Sequence, residues 1–363
     1  MPEMQFILKL IGALAVAGVI SYFATPLVKS LAYKVGAIDV PKDNRRMHKT
    51  PIPRLGGLAI FIAFLFSVII FGQIDQQMQG ILLGAIMIVV LGVLDDIMTL
   101  KALPKFLVQI AAAGVVVYHG CTIQFFSNPN VFSDVAYINL GWLSIPVTII
   151  WIVAITNAVN FIDGLDGLAV GVSAISTASL LVIALMVAEM NVSIILAALL
   201  GSCVGFIPYN KNPAKIFMGD TGATFLGFIL ACLSIQGLFK LYAIISFAVP
   251  FLILGIPIFD ICFAFLRRIA KGQNPMVADR GHVHHRLIDM GFNQKQAVAI
   301  SYMLTAILGL AAVLLTSSGE FKALILIGSI IIVGAIGLRI IFKKQPHDTE
   351  TEQLIEDEKN EEN

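Results

Sequence analysis

"GILLGAIMIVVLGVLDDIMTL" runs from Gly80 to Leu100. No charge appears from Gly80 to Leu94, and then two aspartates, Asp95 and Asp96, stand side by side. A run of that kind reads as a membrane-spanning helix that stops where its side chains meet a polar surface. Similar runs recur along the chain. A span needs roughly 20 mostly apolar residues, and the pattern predicts spans near 5–24, 55–72, 80–94, 104–119, 142–160, 167–187, 192–207, 222–238, 242–263, 297–315 and 321–342. Gly164 and Gly167 interrupt the 142–187 region, so the count there is the least secure.

Composition agrees with this pattern. Of the 363 residues, 58% are hydrophobic and only 13% charged, whereas soluble domains carry about 25% charged residues. The expected fold is therefore an all-α polytopic membrane protein of about eleven transmembrane helices. Residues 1–342 would form the membrane domain. Residues 343–363, dominated by Glu and Asp, would form a solvated, disordered tail. The segment 120–141 mixes β-branched and aromatic residues around Asn-Pro-Asn, which predicts a small β-hairpin. Cys121, Cys203, Cys232 and Cys262 lack C-x-x-C spacing and read as apolar fillers. The first apolar run lacks a basic n-region and a small-residue cleavage site, so it is expected to be a retained span. The two halves show no internal repeat.

The net charge of +1 conceals a strong asymmetry. With the 25–54 loop taken as cytoplasmic, Lys and Arg collect on its side in every later loop, and only Lys9, Lys240 and Lys322 fall opposite. The positive-inside rule then places the N-terminus and the hairpin outside and the C-terminus in the cytoplasm.

On this topology the unusual polar groups share one face. "NAVNFIDGLDGL" (157–168) sets Asn157, Asn160, Asp163 and Asp166 at three-residue steps where one span ends and the next begins. "KIFMGDTGATFLG" (215–227) puts Asp220 at the inner start of a span, and "GHVHHRL" (281–287) puts His282, His284 and His285 in the largest inner loop. Each has an ordinary reading. Asp166 and Asp220 have one as helix caps, Asp95 and Asp96 as a solvated pair, and the histidines as a basic loop. A zinc site lacks ligands at the expected spacing. Lys42, Arg45 and Arg46 would serve as well to attract anionic headgroups. Chance assembly of all of them on one face is harder to accept than any one of these. Carboxylates, amides and cations together suit Mg²⁺, which shares its coordination with substrate phosphates, and so suit phosphoryl transfer. In "VPKDNRRMHKTPIPRLGG" (40–57), Pro51, Pro53 and the Gly56-Gly57 pair suggest a shaped entry to the second span where a phosphate approaches backbone.

The motifs "LDD", "NAVNFIDGLDGL", "FMGDTGATFLG" and "HVHHRL", in this order on this hydropathy pattern, resemble the polyprenyl-phosphate N-acetylhexosamine-1-phosphate transferases of glycosyltransferase family 4. The likeness runs from "PRLGG" to the last spans. It implies transfer of a sugar-1-phosphate from a UDP-sugar to a polyprenyl phosphate, with release of UMP and a need for Mg²⁺ or Mn²⁺. It also implies roles. Asp95, Asp96 and Asp220 would be catalytic, with Asn160 and Asp220 holding the metal and diphosphate. Asn157, Asp163, Asp166, Lys105, His282, His284, His285 and Arg286 would bind the nucleotide sugar, and Lys49 and Arg54 the lipid phosphate.

The peptidoglycan-precursor branch typically has three adjacent histidines followed by Phe-Glu. The His-Val-His-His-Arg-Leu order here is similar instead to the bacterial branch that uses UDP-N-acetylglucosamine and undecaprenyl phosphate in the plasma membrane, for teichoic acid or lipid-linked antigen synthesis. Related enzymes suggest a homodimer. The alternative within the family is phospho-N-acetylmuramoyl-pentapeptide transfer. Outside it, a transporter would place its ionisable groups at the bilayer midplane, where only Asp260 approaches. Asp260 reads as a structural acid paired with Arg267 or Arg268. A scaffold would need no convergent acids, and nothing supports nucleic-acid binding.

Overall fold

The computed structural model describes residues 2–41, 50–127, 137–238, 245–270 and 282–317, together with Gly328, Ile332 and Ala335. Apart from two small strand pairs, regular structure is helical. Among the described residues, seven helices are long and apolar enough to cross a membrane, and the helices Gly57–Phe71 and Ala102–Tyr118 are shorter but apolar.

Helix α1 (Pro2–Val35) outruns the predicted 5–24 span. At 34 residues it is about 51 Å long, against a hydrocarbon core of about 30 Å, and it passes through Pro26. It packs along α7 (Met190–Asn210). Two glycines four residues apart bring the backbones together: a Cβ on Gly201 would lie 2.1 Å from the Leu14 carbonyl, and one on Gly205 2.2 Å from that of Gly18. Small residues at such spacing are how helices associate where burial of apolar surface offers no drive.

The centre of the bundle is α8 (Gly219–Leu238), whose spanning window is 89% buried. Around it stand α2 (Gly57–Phe71), α3 (Gln76–Met98), α5 (Ser144–Phe161) and α6 (Leu168–Met186). Helix α4 (Ala102–Tyr118) covers α3 and α5. At the first turn of α8, a Cβ on Gly57 would meet the Gly222 nitrogen at 2.0 Å, and one on Gly92 the Thr221 Cα at 2.4 Å. The Gly56-Gly57 pair shapes the entry to α2, as expected, by close contact with the first turn of α8 and with Phe206. Gly56 and Gly57 also donate to the carbonyls of Phe217 and Met218 at 3.0 and 2.8 Å.

Two strand pairs cap the bundle. Strands β1 (Ile38–Asp39) and β2 (Ile52–Pro53) are antiparallel, and Arg54 continues into a parallel bridge with Phe217. Strands β3 (Phe125–Ser127) and β4 (Tyr137–Asn139) pair with Phe125 opposite Asn139. These are the arms of the expected hairpin.

The expected span at 242–263 is not one helix. It divides into α9 (Ile245–Ile253) and α10 (Gly255–Ala270), interrupted at Leu254. Pro257, in the first turn of α10, has no N–H for the Ile253 carbonyl, which accepts from the Ser176 hydroxyl at 2.8 Å, while the Leu254 and Ile258 N–H groups bond to Pro250 and Leu254 across the junction at 3.0 Å each. A short helix α11 (Val283–Asp289) leads into α12 (Gln294–Ser317), which lies against α6 and α9. The acidic tail and nearly all of the predicted 321–342 span lie outside the described residues.

Candidate active site

The ends of α3, α5 and α7 and the starts of α4, α6 and α8 meet at one end of the bundle. They enclose a cleft of about 480 Å³ whose walls include Asp39, Arg54, Asp96, Asn160, Asp163, Asp166, Asp220 and His285.

Asp96 anchors the structure of the cleft. Its side chain is 2% exposed, and it accepts from the backbone N–H groups of Asp220 and Thr221 at 3.0 Å each and from the Thr221 hydroxyl at 2.6 Å. A carboxylate on a helix N-terminus satisfies orphan donors and opposes the positive end of the dipole. Gly219, with φ of +73°, makes the turn that allows this; a Cβ there would stand 2.4 Å from Asp96 Oδ2.

Asp95 faces the other way. Its Oδ1 accepts from the Leu100 N–H at 2.6 Å and its Oδ2 from Lys105 Nζ at 2.7 Å. Lys105 also reaches Asp220 Oδ2 at 2.8 Å, so one ammonium lies between carboxylates of two helices. The Asp220 side chain remains 33% exposed, with the Asn160 amide in hydrogen-bonding reach. The Arg54 guanidinium donates to the Asp96 carbonyl at 3.1 Å.

The turn between α5 and α6 forms a second wall. Asp166 Oδ2 accepts from the Asn212 amide at 2.9 Å and the Ala214 N–H at 3.0 Å, and Asn212 also donates to Gln294 at 2.7 Å. Asp163 lies half-buried nearby. Burial, and after it the charges of Asp220, Asp96 and Asp166, push its carboxyl up to about 8. Gly164 has no room for a side chain, since a Cβ would stand 2.2 Å from His284 Nε2. His284 is 3% exposed. Burial, with help from the neighbouring His285, holds it down to about 3, so the ring is neutral.

Several expected residues take other positions. Asn157 does not line the cleft. It donates to Gln109 Oε1 at 2.6 Å and to the Val153 carbonyl at 2.8 Å, joining α5 to α4. His282 and His284 lie behind the wall, and of the three histidines only His285 reaches the cleft surface. The Arg286 guanidinium sits 5.9 Å over the Phe263 ring. Lys49 lies outside the described residues. Asp260, expected as a hydrogen-bonded acid beside Arg267 or Arg268, accepts from His282 Nδ1 and from the Val283 N–H, both at 2.7 Å. Asp39, Asn210 and Asn212 line the cleft and were missed. The polar "NKN" (210–212) at the end of an apolar run was the signal for two of them.

Asn160, Asp163 and Asp220 line the cleft and carry side-chain oxygens, a donor type that suits a hard cation. Among the described residues no three His, Cys, Asp or Glu side chains group closely enough to hold a metal by themselves.

Residues 78–238 match the family model described as glycosyl transferase family 4. A Bacillus subtilis (strain 168) protein named probable undecaprenyl-phosphate N-acetylglucosaminyl 1-phosphate transferase is 40% identical, over 90% of each chain. A Mycobacterium leprae decaprenyl-phosphate N-acetylglucosaminephosphotransferase is 33% identical, over 88% of this chain and 87% of its own. A Clostridium beijerinckii phospho-N-acetylmuramoyl-pentapeptide-transferase is 29% identical, over 83% of this chain and 94% of its own.

Proposed function

Because the chain belongs to glycosyl transferase family 4, we propose that it transfers N-acetylglucosamine-1-phosphate from UDP-N-acetylglucosamine to undecaprenyl phosphate and releases UMP. This is the first membrane step in building a wall glycopolymer such as teichoic acid or a lipid-linked antigen. The cleft opens to the cytoplasm of a bacterial cell, the N-terminus lies outside, and the tail from Lys343 is cytoplasmic. The distribution of Lys and Arg supports that orientation.

The observation that carries the reading is the Lys105 ammonium held between Asp95 and Asp220, 2.7 and 2.8 Å from their oxygens, beside an acidic cleft. A nucleoside diphosphate brings negative charge that needs neutralising as the leaving group departs, and phosphoryl transfer depends mostly on such placement. Asn160 and Asp220 would hold Mg²⁺, or Mn²⁺ in its stead, and that ion would supply charge neutralisation on the diphosphate. Lys105 moves from the carboxylates toward the diphosphate, and Arg54 and Lys49 take the lipid phosphate. Asp163 and Asp166 line the nucleoside side with His285.

An oxygen of the lipid phosphate attacks the β-phosphorus of the UDP-sugar. The bond from that phosphorus to the bridging oxygen breaks, and UMP leaves with the oxygen. A phosphate monoester's second pKa is about 6, so the acceptor is largely ionised and Asp95 serves to orient it.

The test is radiolabel transfer. Purified protein, sugar-labelled UDP-N-acetylglucosamine, undecaprenyl phosphate and Mg²⁺ should give labelled lipid and matching UMP, with both lost on chelation and in Asp95→Asn and Asp220→Asn. Transfer only from UDP-N-acetylmuramoyl-pentapeptide would move the chain to the peptidoglycan branch. No transfer from any UDP-sugar would overturn the reading.

A further inference from the structure

Asp260 is a carboxylate 2% exposed inside α10, away from the cleft wall and without a part in the chemistry proposed above. A buried carboxylate is costly unless its oxygens are satisfied. Here both are satisfied by one short segment: Oδ1 accepts from the Val283 N–H and Oδ2 from His282 Nδ1, each at 2.7 Å. Val283 is the first residue of α11, and His282 is its N-cap position with no side-chain cap of its own. Asp260 therefore does from a neighbouring helix what an N-cap side chain does locally.

Contacts then run from this clasp to the cleft. The His282 ring lies parallel to that of His284, with 5.8 Å between centroids and 7° between planes, and 5.8 Å from the Phe161 ring. His284 fills the space against Gly164, in the turn that carries Asp163 and Asp166. His285, 4.3 Å from His284, is the member of the set that surfaces in the cleft. Past the far end of α11, the start of α12 is tied to the same turn through Gln294, Asn212 and Asp166. With the C-terminal side fixed to the turn, the placement of the histidines depends on what holds the N-terminal side.

We infer that Asp260 is a positioning residue: by clasping His282 and the Val283 N–H it sets α11 against the 163–166 turn, and so fixes His285 on the wall that receives the nucleotide sugar. It contacts no reacting atom. The inference rests on the proposed transferase reading for its kinetic consequence, though the clasp itself has a readout independent of activity.

The experiment uses the full chain in detergent. Hydrogen exchange at the Val283 amide should speed up by roughly tenfold or more in Asp260→Leu, and much less in Asp260→Asn, which retains one acceptor oxygen. In the transfer assay, Asp260→Leu should raise KM for UDP-N-acetylglucosamine by about tenfold or more while KM for undecaprenyl phosphate stays within about twofold. Asp260→Asn should recover part of that. His282→Ala should produce the same selective rise, and adding it to Asp260→Leu should cost little more, because the two act as one unit.

Unchanged exchange at Val283, an equal rise in both KM values, or additive effects of Asp260→Leu and His282→Ala would each overturn the inference. If Asp260→Leu fails to fold, Asp260→Asn and His282→Ala carry the same comparison. Should the wild-type protein transfer nothing from any UDP-sugar, the transferase reading fails, and the exchange measurement still decides whether Asp260 holds α11.

Discussion

Lys105 Nζ and Asp220 Oδ2 stand 2.8 Å apart although 115 positions separate them in the chain, and the same nitrogen is 2.7 Å from Asp95 Oδ2. Removing the ammonium leaves two carboxylates facing one another without their shared cation. Lys105→Met should therefore lower kcat by about a hundredfold or more, and Lys105→Arg should retain a measurable part. A loss of less than about threefold in Lys105→Met would remove Lys105 from the chemistry.

Asp96 accepts three hydrogen bonds from the first turn of α8. Asp96→Ala leaves those donors buried without partners and should cost about 3 kcal/mol, visible as a melting temperature lower by roughly 5 °C or more in detergent. Asp95→Ala, which releases only the Leu100 N–H and the Lys105 ammonium, should destabilise less. Equal thermal shifts in the two variants would argue that Asp96 is no anchor.

Gly164 and His284 occupy a space with room for only one side chain. Gly164→Ala puts a Cβ 2.2 Å from His284 Nε2, which should cost about 1–3 kcal/mol through overpacking and push His284 off the turn. In the His284→Ala background the same substitution should cost almost nothing. Persistence of the full penalty there would show that the strain lies elsewhere.

His284 gives the fold an acid-sensitive component. Its ring is held down to about 3 by burial, against 6.5 for an exposed histidine. Between those values the unfolded chain binds a proton that the folded one does not, so stability falls as pH drops through that window. At pH 5 the loss from this residue approaches about 2 kcal/mol. Thermal unfolding at pH 7.5 and 5.0 should show a larger drop for the wild type than for His284→Gln, and parallel drops would exclude the assignment.

Asp163 behaves oppositely. Burial raises its carboxyl to about 8, so the folded protein keeps a proton there at neutral pH, and that contribution to stability fades as pH rises through about 8. A cation in the cleft favours the ionised form. Mg²⁺ should accordingly raise the melting temperature more at pH 8.5 than at pH 6.5, with the difference reduced in Asp163→Asn. The reverse pH dependence would detach Asp163 from the cation.

The sequence carried the helices best where apolar runs were long and unbroken, as in α3, α5 and α12, and it carried the site's acids through their shared position at span ends. It misread places where backbone geometry or a distant partner decides. The 242–263 run is apolar throughout its first half, yet Leu254 and Pro257 divide it. Asp260 was legible as a structural acid but its partner was not, because basic side chains on its own helix look nearer than a histidine 22 residues away. Asn157 shares the three-residue rhythm of Asn160, Asp163 and Asp166, but that rhythm follows the α5 helix only to Phe161. Asn157 therefore points to α4, Asn160 still lies in the last turn of α5, and Asp163 and Asp166 line the turn beyond it.

The Asn157–Gln109 amide pair fixes the register between α4 and α5. Lys105 lies about one turn before Gln109 on α4, and Asn160 about one turn after Asn157 on α5. Slippage of α4 by a single turn would carry the Lys105 ammonium about 5.4 Å along the helix axis, farther than its contacts with Asp95 and Asp220 span. The pair thus works as an index pin: an uncharged amide contact, part-buried a turn away from the reaction, sets the gauge to which the charged groups are aligned.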